Sequence, residues 1–325
     1  MFPEGIIILL LKFLVLPREY AHISCTKRPG GIELFKKVVM VLLVLILLGG
    51  AAFAQPEETE QVFSQSDPQG DSFGPGKFTY PGDQSFPQEL PAMLDLVEFR
   101  VVNTDKTTRF EFQFAQPPNL AQPWGGEGYN FHRIDLYIAS GGKGSQTTFR
   151  SGAQVRFTEP WQINVRIRDW QGAYLLHWED DPEDPQAGIW QGATEDFAVF
   201  VQGNTIVAEI GHSILEPAAA SWKYYILIGL QDAYGLDHYR KIAAEEGPWT
   251  GGGGSETEFS PNVYDILAGD AKAQKQQLDW EPGKLARLEP VGNSSGNLVA
   301  RKLAVVAVVM VAAGVAALIW LFKKK

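Results

Sequence analysis

An uncharged apolar run of 20 residues, Leu303 to Phe322, limits most strongly what this 325-residue chain can become. A helix of that length is about 30 Å long, which matches the hydrocarbon thickness of a bilayer. Three lysines follow the run at residues 323–325, and the positive-inside tendency favours a cytoplasmic position for them. The pattern therefore predicts one transmembrane helix over residues 303–322 and a basic cytoplasmic tail over residues 323–325.

The other end of the chain has the pattern of a secretory signal. Two lysines at residues 36–37 precede an apolar stretch over residues 38–48, and small residues follow up to Ala54. Since 11 apolar residues are too few to span a bilayer comfortably, we expect cleavage before Gln55 and not an uncleaved membrane helix. Residues 1–54 are thus a predicted leader and signal peptide. The predicted product is a single-pass protein of the cell membrane whose N-terminal domain is extracellular.

The predicted exported part, residues 55–302, is strongly acidic. It contains 35 Asp and Glu residues against 19 Lys and Arg residues, a net charge of −16. Such a surface repels nucleic acid phosphates and anionic lipid headgroups, so we expect no nucleic acid partner. The one cysteine, Cys25, lies in the leader, which leaves the exported part without disulfides and without thiolate metal sites.

Alternation of apolar and polar residues predicts β-strands in the exported part. The two-residue period is clear over residues 97–101, 110–114 and 163–168, where it indicates strands with one buried face. Two further runs flank Gly203 and Asn204, a pair suited to a two-residue hairpin loop. Regularly spaced strands separated by Gly, Pro and Asn predict an all-β fold, an antiparallel β-sandwich of the immunoglobulin-like or jelly-roll kind.

The domain limits follow from changes in composition. Residues 55–65 are acidic and polar without a period, which predicts a flexible lead-in, and residues 281–302 are rich in Pro, Gly, Asn and Ser, which predicts a stalk. The sandwich is therefore expected over residues 66–280. Inside it, residues 224–230 are apolar on both faces, as a central strand requires, and residues 238–246 are expected to form one short helix.

Four collinear stretches resemble the C-terminal binding module of bacterial glucodextranases. They are DPQGDSFGPGKFTYP at residues 67–81, residues 128–138 with IDLYI, residues 222–240 with QDAYG, and residues 249–265 with NVYD. The resemblance covers about residues 66–290, essentially the whole exported domain. It implies a β-sandwich related to carbohydrate-binding modules, found also beside pullulanase-like enzymes, and it implies no catalytic activity in this module.

Tryptophans on predicted loops are the candidates for sugar binding. A sugar needs a flat apolar platform for its ring face and polar groups for its hydroxyls, and tryptophan supplies the largest platform. Because they lie between turn-forming residues or beside acidic and glycine runs, the candidates are Trp124 and Trp190 first, and then Trp178 and Trp249. A loop tryptophan that caps the end of the sandwich is the alternative for each. Trp161 and Trp222 lead directly into strands and are expected in the core.

Asp67 and Asp71 lie in the first of the four stretches, residues 67–81, which we call the opening stretch. They are candidate ligands for a hard cation. Asp232 and Asp237 from one later loop are candidates to join them, because Ca²⁺ takes six to eight oxygen ligands. The alternative is a rigid loop in which glycines and prolines set the turns before the first strand. Ca²⁺ is the one cofactor that the residues suggest.

Two other classes of protein are disfavoured. Acidic residues crowd residues 179–184, and glycoside hydrolysis needs two carboxyl groups about 5 to 9.5 Å apart, but a proline-punctuated acidic run is typical of a solvated loop. Met93 is the one methionine of the exported part, which disfavours His/Met ligation of haem. We therefore predict a membrane-anchored, non-catalytic module that binds glucan-like or cell-wall polysaccharide. The alternative is a structural or adhesive module that docks to other components of the cell envelope.

Overall fold

A computed structural model describes residues 59–120, 126–170 and 172–293 of the chain. The leader and signal peptide, Trp124 and the apolar run over residues 303–322 lie outside the described residues. Across the described ranges, no helix combines the length and the apolar character needed to cross a bilayer. The predictions for export and for the transmembrane helix therefore stay predictions.

The first sheet has five antiparallel strands. In the order in which they pair, they are β1 (Glu60–Ser66), β2 (Leu96–Asn103), β3 (Thr107–Phe114), β11 (Thr205–Gly211) and β10 (Phe197–Gln202). The predicted hairpin at Gly203 and Asn204 is confirmed, since Gly203 begins the β10–β11 turn with a φ of 63°. The strands β2 and β3 form another hairpin, in whose turn Thr104 Oγ1 accepts a hydrogen bond from Thr107 N. A bulge in β2 turns Leu96 into the core and leaves Val97 half-buried.

The second sheet lies at the centre of the domain. In the order in which they pair, its strands are β13 (Asp265–Ile266), β12 (Lys223–Leu230), β4 (His132–Ala139), β7 (Ile163–Arg168), β8 (Tyr174–His177) and β9 (Ile189–Trp190), and β15 (Val291–Gly292) also pairs with β12. Every residue of β4 and β7 is buried, as is all of β12 except Lys223. The central strand predicted over residues 224–230 is confirmed. The exposed face predicted for β7 is wrong, because both faces of that strand are covered.

A small third sheet covers the second one. Its strands are β5 (Ser145–Thr147), β6 (Val155–Trp161) and β14 (Ala286–Leu288), and β14 runs parallel to β6. Two short helices complete the domain, α1 (Leu90–Met93) and α2 (Ala271–Gln277). One apolar core includes Phe99, Phe112 and Leu136, and a second core includes Phe157 and Leu227. The all-β antiparallel sandwich is thus confirmed, with a third layer that the sequence did not predict.

The tryptophans expected in the interior are there. Trp161 belongs to the second core and Trp222 to the first, and both side chains are buried. The indole N–H of Trp161 donates to the carbonyl oxygen of Thr147 at 2.7 Å, so its polar group is satisfied inside the core. The expectation that a tryptophan leading into a strand packs inward is confirmed for this pair.

Both predicted ends of the domain are wrong. β1 begins inside the predicted lead-in over residues 55–65 and buries Val62 and Phe63. β14 and β15 lie inside the predicted stalk over residues 281–302, and Asn293 donates to the carbonyl oxygen of Val62 at 3.0 Å. Short strands at the ends of a domain are held by pairing with distant strands, so their own sequence has no long period to reveal them.

The segment after β12 does not form the helix predicted over residues 238–246. Its backbone runs beside other segments instead, with bridges from Tyr239 to Gln231 and from Ile242 to Gly251. Gly251 is needed there, because a Cβ atom at this position would lie 2.1 Å from the hydroxyl of Tyr264. The run of four glycines over residues 251–254, which we call the glycine run, is therefore a close-packed part of the domain.

Candidate functional site

A cleft with a volume of about 410 Å³ opens at one end of the second sheet. Strands β7 and β12 end there and β4 begins there, because Arg133 pairs with Arg168 and His132 pairs with Leu230 across the antiparallel ladders. The residues that line the cleft lie on the connections of these three strands and on the segment before the glycine run. They are Phe131, Asp169, Trp170, Gln231, Asp232, Ala233, Tyr234, Arg240 and Trp249.

Three large aromatic side chains are exposed in this cleft. Trp170 is 58 % exposed, Trp249 is 48 % exposed and Tyr234 is 96 % exposed. Hollows of about 860, 800 and 430 Å³ elsewhere among the described residues are larger, but none of these contains a tryptophan. Exposed aromatic faces beside a concave surface are typical of a ligand-binding site.

The polar groups of the cleft are fixed by buried hydrogen bonds. Arg240 donates to the carbonyl oxygens of Trp249 at 2.7 Å and of Gln231 at 3.2 Å, and it pairs with Asp232 at 3.3 Å. Its guanidinium group lies 5.8 Å from the centre of the Trp249 ring, within the range of a cation–π contact. Arg240 therefore holds one aromatic wall and one carboxylate of the cleft in place.

Asp169 and Gln231 form the buried side of the same cleft. Asp169 Oδ2 accepts from the backbone N–H of Phe131 at 2.7 Å, and Gln231 Oε1 accepts from the backbone N–H of Asp169 at 2.8 Å. The side-chain N–H₂ of Gln231 is buried without a hydrogen-bond partner among the described residues. Burial raises the pKa of Asp169 to about 6. The cleft thus offers a donor and an acceptor beside its aromatic walls.

Phe131, at the entrance to β4, has strained backbone. Its φ of 67° lies in the left-handed region, which bulky side chains rarely adopt. The backbone N–H of Phe131 donates to Asp169, and its carbonyl oxygen accepts from the N–H of Gln231 at 2.7 Å. Strain that the surroundings hold in this way is common at functional sites.

A second cluster of polar groups is acidic and lies beneath the opening stretch. Asp67, Asp71 and Asp265 each offer a carboxylate oxygen, and the three oxygens lie within 4.8 Å of one another. Asp265 is completely buried, and its oxygens accept from the backbone N–H groups of Leu96 at 2.8 Å and of Ile266 at 2.9 Å. We call these three residues, together with the neighbouring Asp95, the acidic cluster.

Several oxygens of the acidic cluster have no hydrogen-bond partner among the described residues. Asp67 is 7 % exposed; one of its oxygens accepts from the N–H groups of Ala268 and Gly269, and the other is unpartnered. Asp95 is 2 % exposed and also keeps one unpartnered oxygen, while neither oxygen of Asp71 has a partner. Burial and the charges of the other acids raise the pKa of Asp67 to about 7 and that of Asp71 to about 6.

A family model described as the C-terminal binding module, SLH-like, of glucodextranase matches residues 62–290. The chain belongs to this family. No curated protein matches the chain. The family resemblance seen in the sequence is thus confirmed, and the matched range of this SLH-like binding module includes both the cleft and the acidic cluster.

Of the three candidate tryptophans that the structure describes, one lies in the cleft. Trp249 lies there, whereas Trp190, 46 % exposed, lies on the edge strand β9 above Gly172. Trp178 is half-buried against the second core, and Trp124 lies outside the described residues. Sequence reasoning missed Trp170, although Asp169 and Gly172 place it between turn-forming residues, the signal that selected Trp124 and Trp190.

The module does not bring Asp232 and Asp237 to the acidic cluster. Asp232 pairs with Arg240 in the cleft, and Asp237 pairs with Arg166 at 2.8 Å and with Arg133 at 3.4 Å. The prediction that they join Asp67 in one cation site is wrong, because arginines already balance both carboxylates. Asp237 instead ties the loop after β12, which carries the cleft residues, to strands β4 and β7.

The acidic run over residues 179–184 forms local turns of the module. Asp180 Oδ2 accepts from the N–H of His177 at 2.7 Å, and Asp181 Oδ1 accepts from the N–H of Glu183 at 2.9 Å. The contact between Asp181 and Glu183, two residues later, is that of an Asx turn on a solvated loop. The two contacts give these carboxylates a structural role, which agrees with a family of non-catalytic binding modules.

Proposed function

We propose that the module binds a neutral polysaccharide, of the glucan or cell-wall kind, in the cleft at the end of the second sheet and does not cleave it. The exposed faces of Trp170 and Trp249 beside the cleft carry this proposal. Each ring offers a platform for one sugar face, and the volume of about 410 Å³ falls within the range of ligand pockets.

The polar groups support a ligand with hydroxyl groups. Gln231 supplies a buried donor that lacks a partner among the described residues, and the carboxylates of Asp169 and Asp232 supply acceptors. The net charge of −16 over residues 55–302 disfavours an anionic ligand and makes a nucleic acid partner the least suitable choice.

We also propose that the module works outside the cell and is held at the membrane. The signal pattern that ends at Ala54 and the apolar run over residues 303–322 support this location. N-terminal sequencing of the mature protein is expected to begin at Gln55. A mature chain that begins at Met1 would remove the signal peptide from the account.

Retention on insoluble polysaccharide tests the binding role. The full chain, purified in a neutral detergent, is incubated with insoluble α- and β-glucans and with cell walls, and the bound fraction is measured. The variants Trp170→Ala and Trp249→Ala are expected to bind at least about tenfold more weakly, since each loses one ring platform. Trp190→Ala is the matched control, because Trp190 is 46 % exposed and lies outside the cleft.

Two outcomes would overturn the proposed cleft. One is equal retention of all three variants, and the other is a loss in Trp190→Ala as large as that in Trp170→Ala. If the wild-type chain binds no polysaccharide but is captured by other envelope components, the structural or adhesive role replaces sugar binding. Release of reducing sugar from the glucans would reject a non-catalytic role.

A further inference from the structure

The acidic cluster concentrates negative charge in the interior without a basic partner. Among the described residues, no ion pair joins Asp67, Asp71, Asp95 or Asp265 to a lysine, arginine or histidine, although the charge of Lys275 acts on Asp71. Two of these side chains, Asp67 and Asp95, are more than nine-tenths buried and each keeps one unpartnered oxygen. A buried carboxylate is stable only when it is hydrogen-bonded, paired with a cation or protonated.

We propose that Asp67, Asp71 and Asp265 bind one Ca²⁺ ion, with Asp95 as a fourth carboxylate beside them. This set of ligands differs from the one that the sequence predicted, because Asp265 and Asp95 lie beside Asp67 and Asp71, whereas Asp232 and Asp237 do not. It also lies apart from the residues that line the cleft, so it does not depend on the proposed sugar binding.

The geometry favours calcium over other metals. The ligand atoms are all carboxylate oxygens, which suit a hard cation and exclude a thiolate or imidazole type of site. Oxygens that share one Ca²⁺ ion at about 2.4 Å lie at most about 4.8 Å apart, and the three oxygens of the cluster meet this limit. Mg²⁺ demands shorter, octahedral contacts and keeps several waters, so it suits a buried set of carboxylates less well.

The site joins segments that are distant in the sequence. Asp67 and Asp71 belong to the opening stretch, Asp95 precedes β2, and Asp265 begins β13. The opening stretch in turn pairs with the glycine run, where the N–H of Thr79 donates to the carbonyl oxygen of Gly252 at 3.0 Å. A bound ion therefore cross-links the two ends of the matched domain at their meeting point.

Calorimetry on the full chain tests the site. The chain in neutral detergent is freed of metal with EGTA, passed through gel filtration and titrated with CaCl₂, and in a second run with MgCl₂. We expect one Ca²⁺ ion per chain, at least tenfold weaker binding of Mg²⁺, and a melting temperature that rises with the Ca²⁺ concentration. No heat of binding and an unchanged melting temperature at millimolar Ca²⁺ would overturn the proposal.

A pair of variants locates the ion. Asp71→Asn removes one charge without removing a hydrogen bond, because neither oxygen of Asp71 has a partner among the described residues. It is expected to weaken Ca²⁺ binding at least tenfold, whereas Asp105→Asn, an equal charge change on the exposed β2–β3 turn, is expected to leave binding unchanged. Equal affinity in the two variants would overturn the assignment. If Asp71→Asn loses its folded circular dichroism spectrum, Asp67→Asn takes its place, and equilibrium dialysis of the wild-type chain with radioactive Ca²⁺ still measures the number of ions.

Discussion

Two buried groups of carboxylates in this domain differ in how their charge is balanced. Asp135 and Asp237 face two arginines: Asp135 lies 2.9 Å from Arg133, and Asp237 lies 2.8 Å from Arg166. Although burial alone would raise it, the pKa of Asp135 is lowered by these guanidinium groups. In the acidic cluster, where no arginine of the described residues forms an ion pair, burial and like charge raise the pKa of Asp265 well above its ordinary value.

The two groups thus differ in whether the chain itself supplies the partners of the buried carboxylates. We call Asp135, Asp237, Arg133 and Arg166 the arginine network. The arginine network satisfies its carboxylates within the chain, and the hydroxyl of Tyr239 donates a further hydrogen bond to Asp135 at 2.8 Å. The acidic cluster keeps unpartnered buried oxygens among the described residues, so its balance has to come from a bound cation or from protons. The arginine network thus stabilises the loop of the cleft by itself, whereas the opening stretch needs either protons or the proposed Ca²⁺ ion.

Breaking the arginine network is expected to have the largest effect on the free energy of unfolding. Arg133→Met leaves Asp135 and Asp237 buried with one arginine between them, so we expect the free energy of unfolding to fall by about 3 to 5 kcal/mol. Denaturant unfolding followed by circular dichroism measures it. Arg100→Met breaks a partly exposed ion pair with Glu111 and is expected to lower that free energy by less than about 1 kcal/mol. If both variants lose the same free energy of unfolding, the buried ion pairs of Arg133 stabilise the domain no more than an exposed pair does.

Removing one charge from the acidic cluster is expected to change the free energy of unfolding in opposite directions without and with Ca²⁺. In EGTA at pH 8, Asp71→Asn relieves repulsion among buried carboxylates and raises the free energy of unfolding by about 1 kcal/mol. In saturating Ca²⁺ the same variant loses a ligand and becomes less stable than the wild type. Paired melting curves with and without Ca²⁺ measure both effects, and a change of the same sign in both buffers would contradict the comparison.

The smallest predicted effect is a pH dependence of the free energy of unfolding that comes from His238, which lies near the arginine network. Burial, followed by the charges of Arg168 and Arg133, lowers the pKa of His238 to about 4. Between pH 6.5 and pH 4 the unfolded chain binds a proton at His238 that the folded domain does not bind. The free energy of unfolding therefore falls as the pH drops through this window, by less than about 1 kcal/mol after screening by solvent.

His238→Gln is expected to make this pH dependence shallower. Denaturant unfolding at pH 6.5, 5.5 and 4.5 measures the difference between the variant and the wild type, so other groups that titrate in the window cancel. His177→Gln serves as the control, because His177 lies on an exposed position of β8. A slope for His238→Gln equal to that of the wild type would show that the folded domain does not lower the pKa of His238.

The sequence predicted those parts of the fold that depend on local period. Alternation over residues 110–114 and the loop at Gly203 identified strands and a hairpin because side chains on one face of a strand share one environment. The third sheet escaped prediction because β14 pairs with β6, and such pairing leaves no local pattern in either segment. The burial of Arg166 escaped for the same reason, since the alternation of β7 cannot reveal what covers its polar face.

The candidate sites were predictable only in residue type. Tryptophans do line the cleft, but Trp249 and Trp170 come to it because β7 and β12 end at the same edge of the second sheet. Asp67 does lie in a cluster of carboxylates, as predicted, but its neighbour Asp265 lies almost two hundred positions later on the chain. Spacing along the sequence instead pointed to Asp237, whose charge the arginines balance.

Anomalous diffraction from crystals grown with CaCl₂ tests the contrast between the two buried groups most directly. We predict one calcium peak among the carboxylates of Asp67, Asp71 and Asp265, and none between Asp135 and Asp237. A map without a peak at the acidic cluster, or with a peak of equal height at the arginine network, would contradict the account.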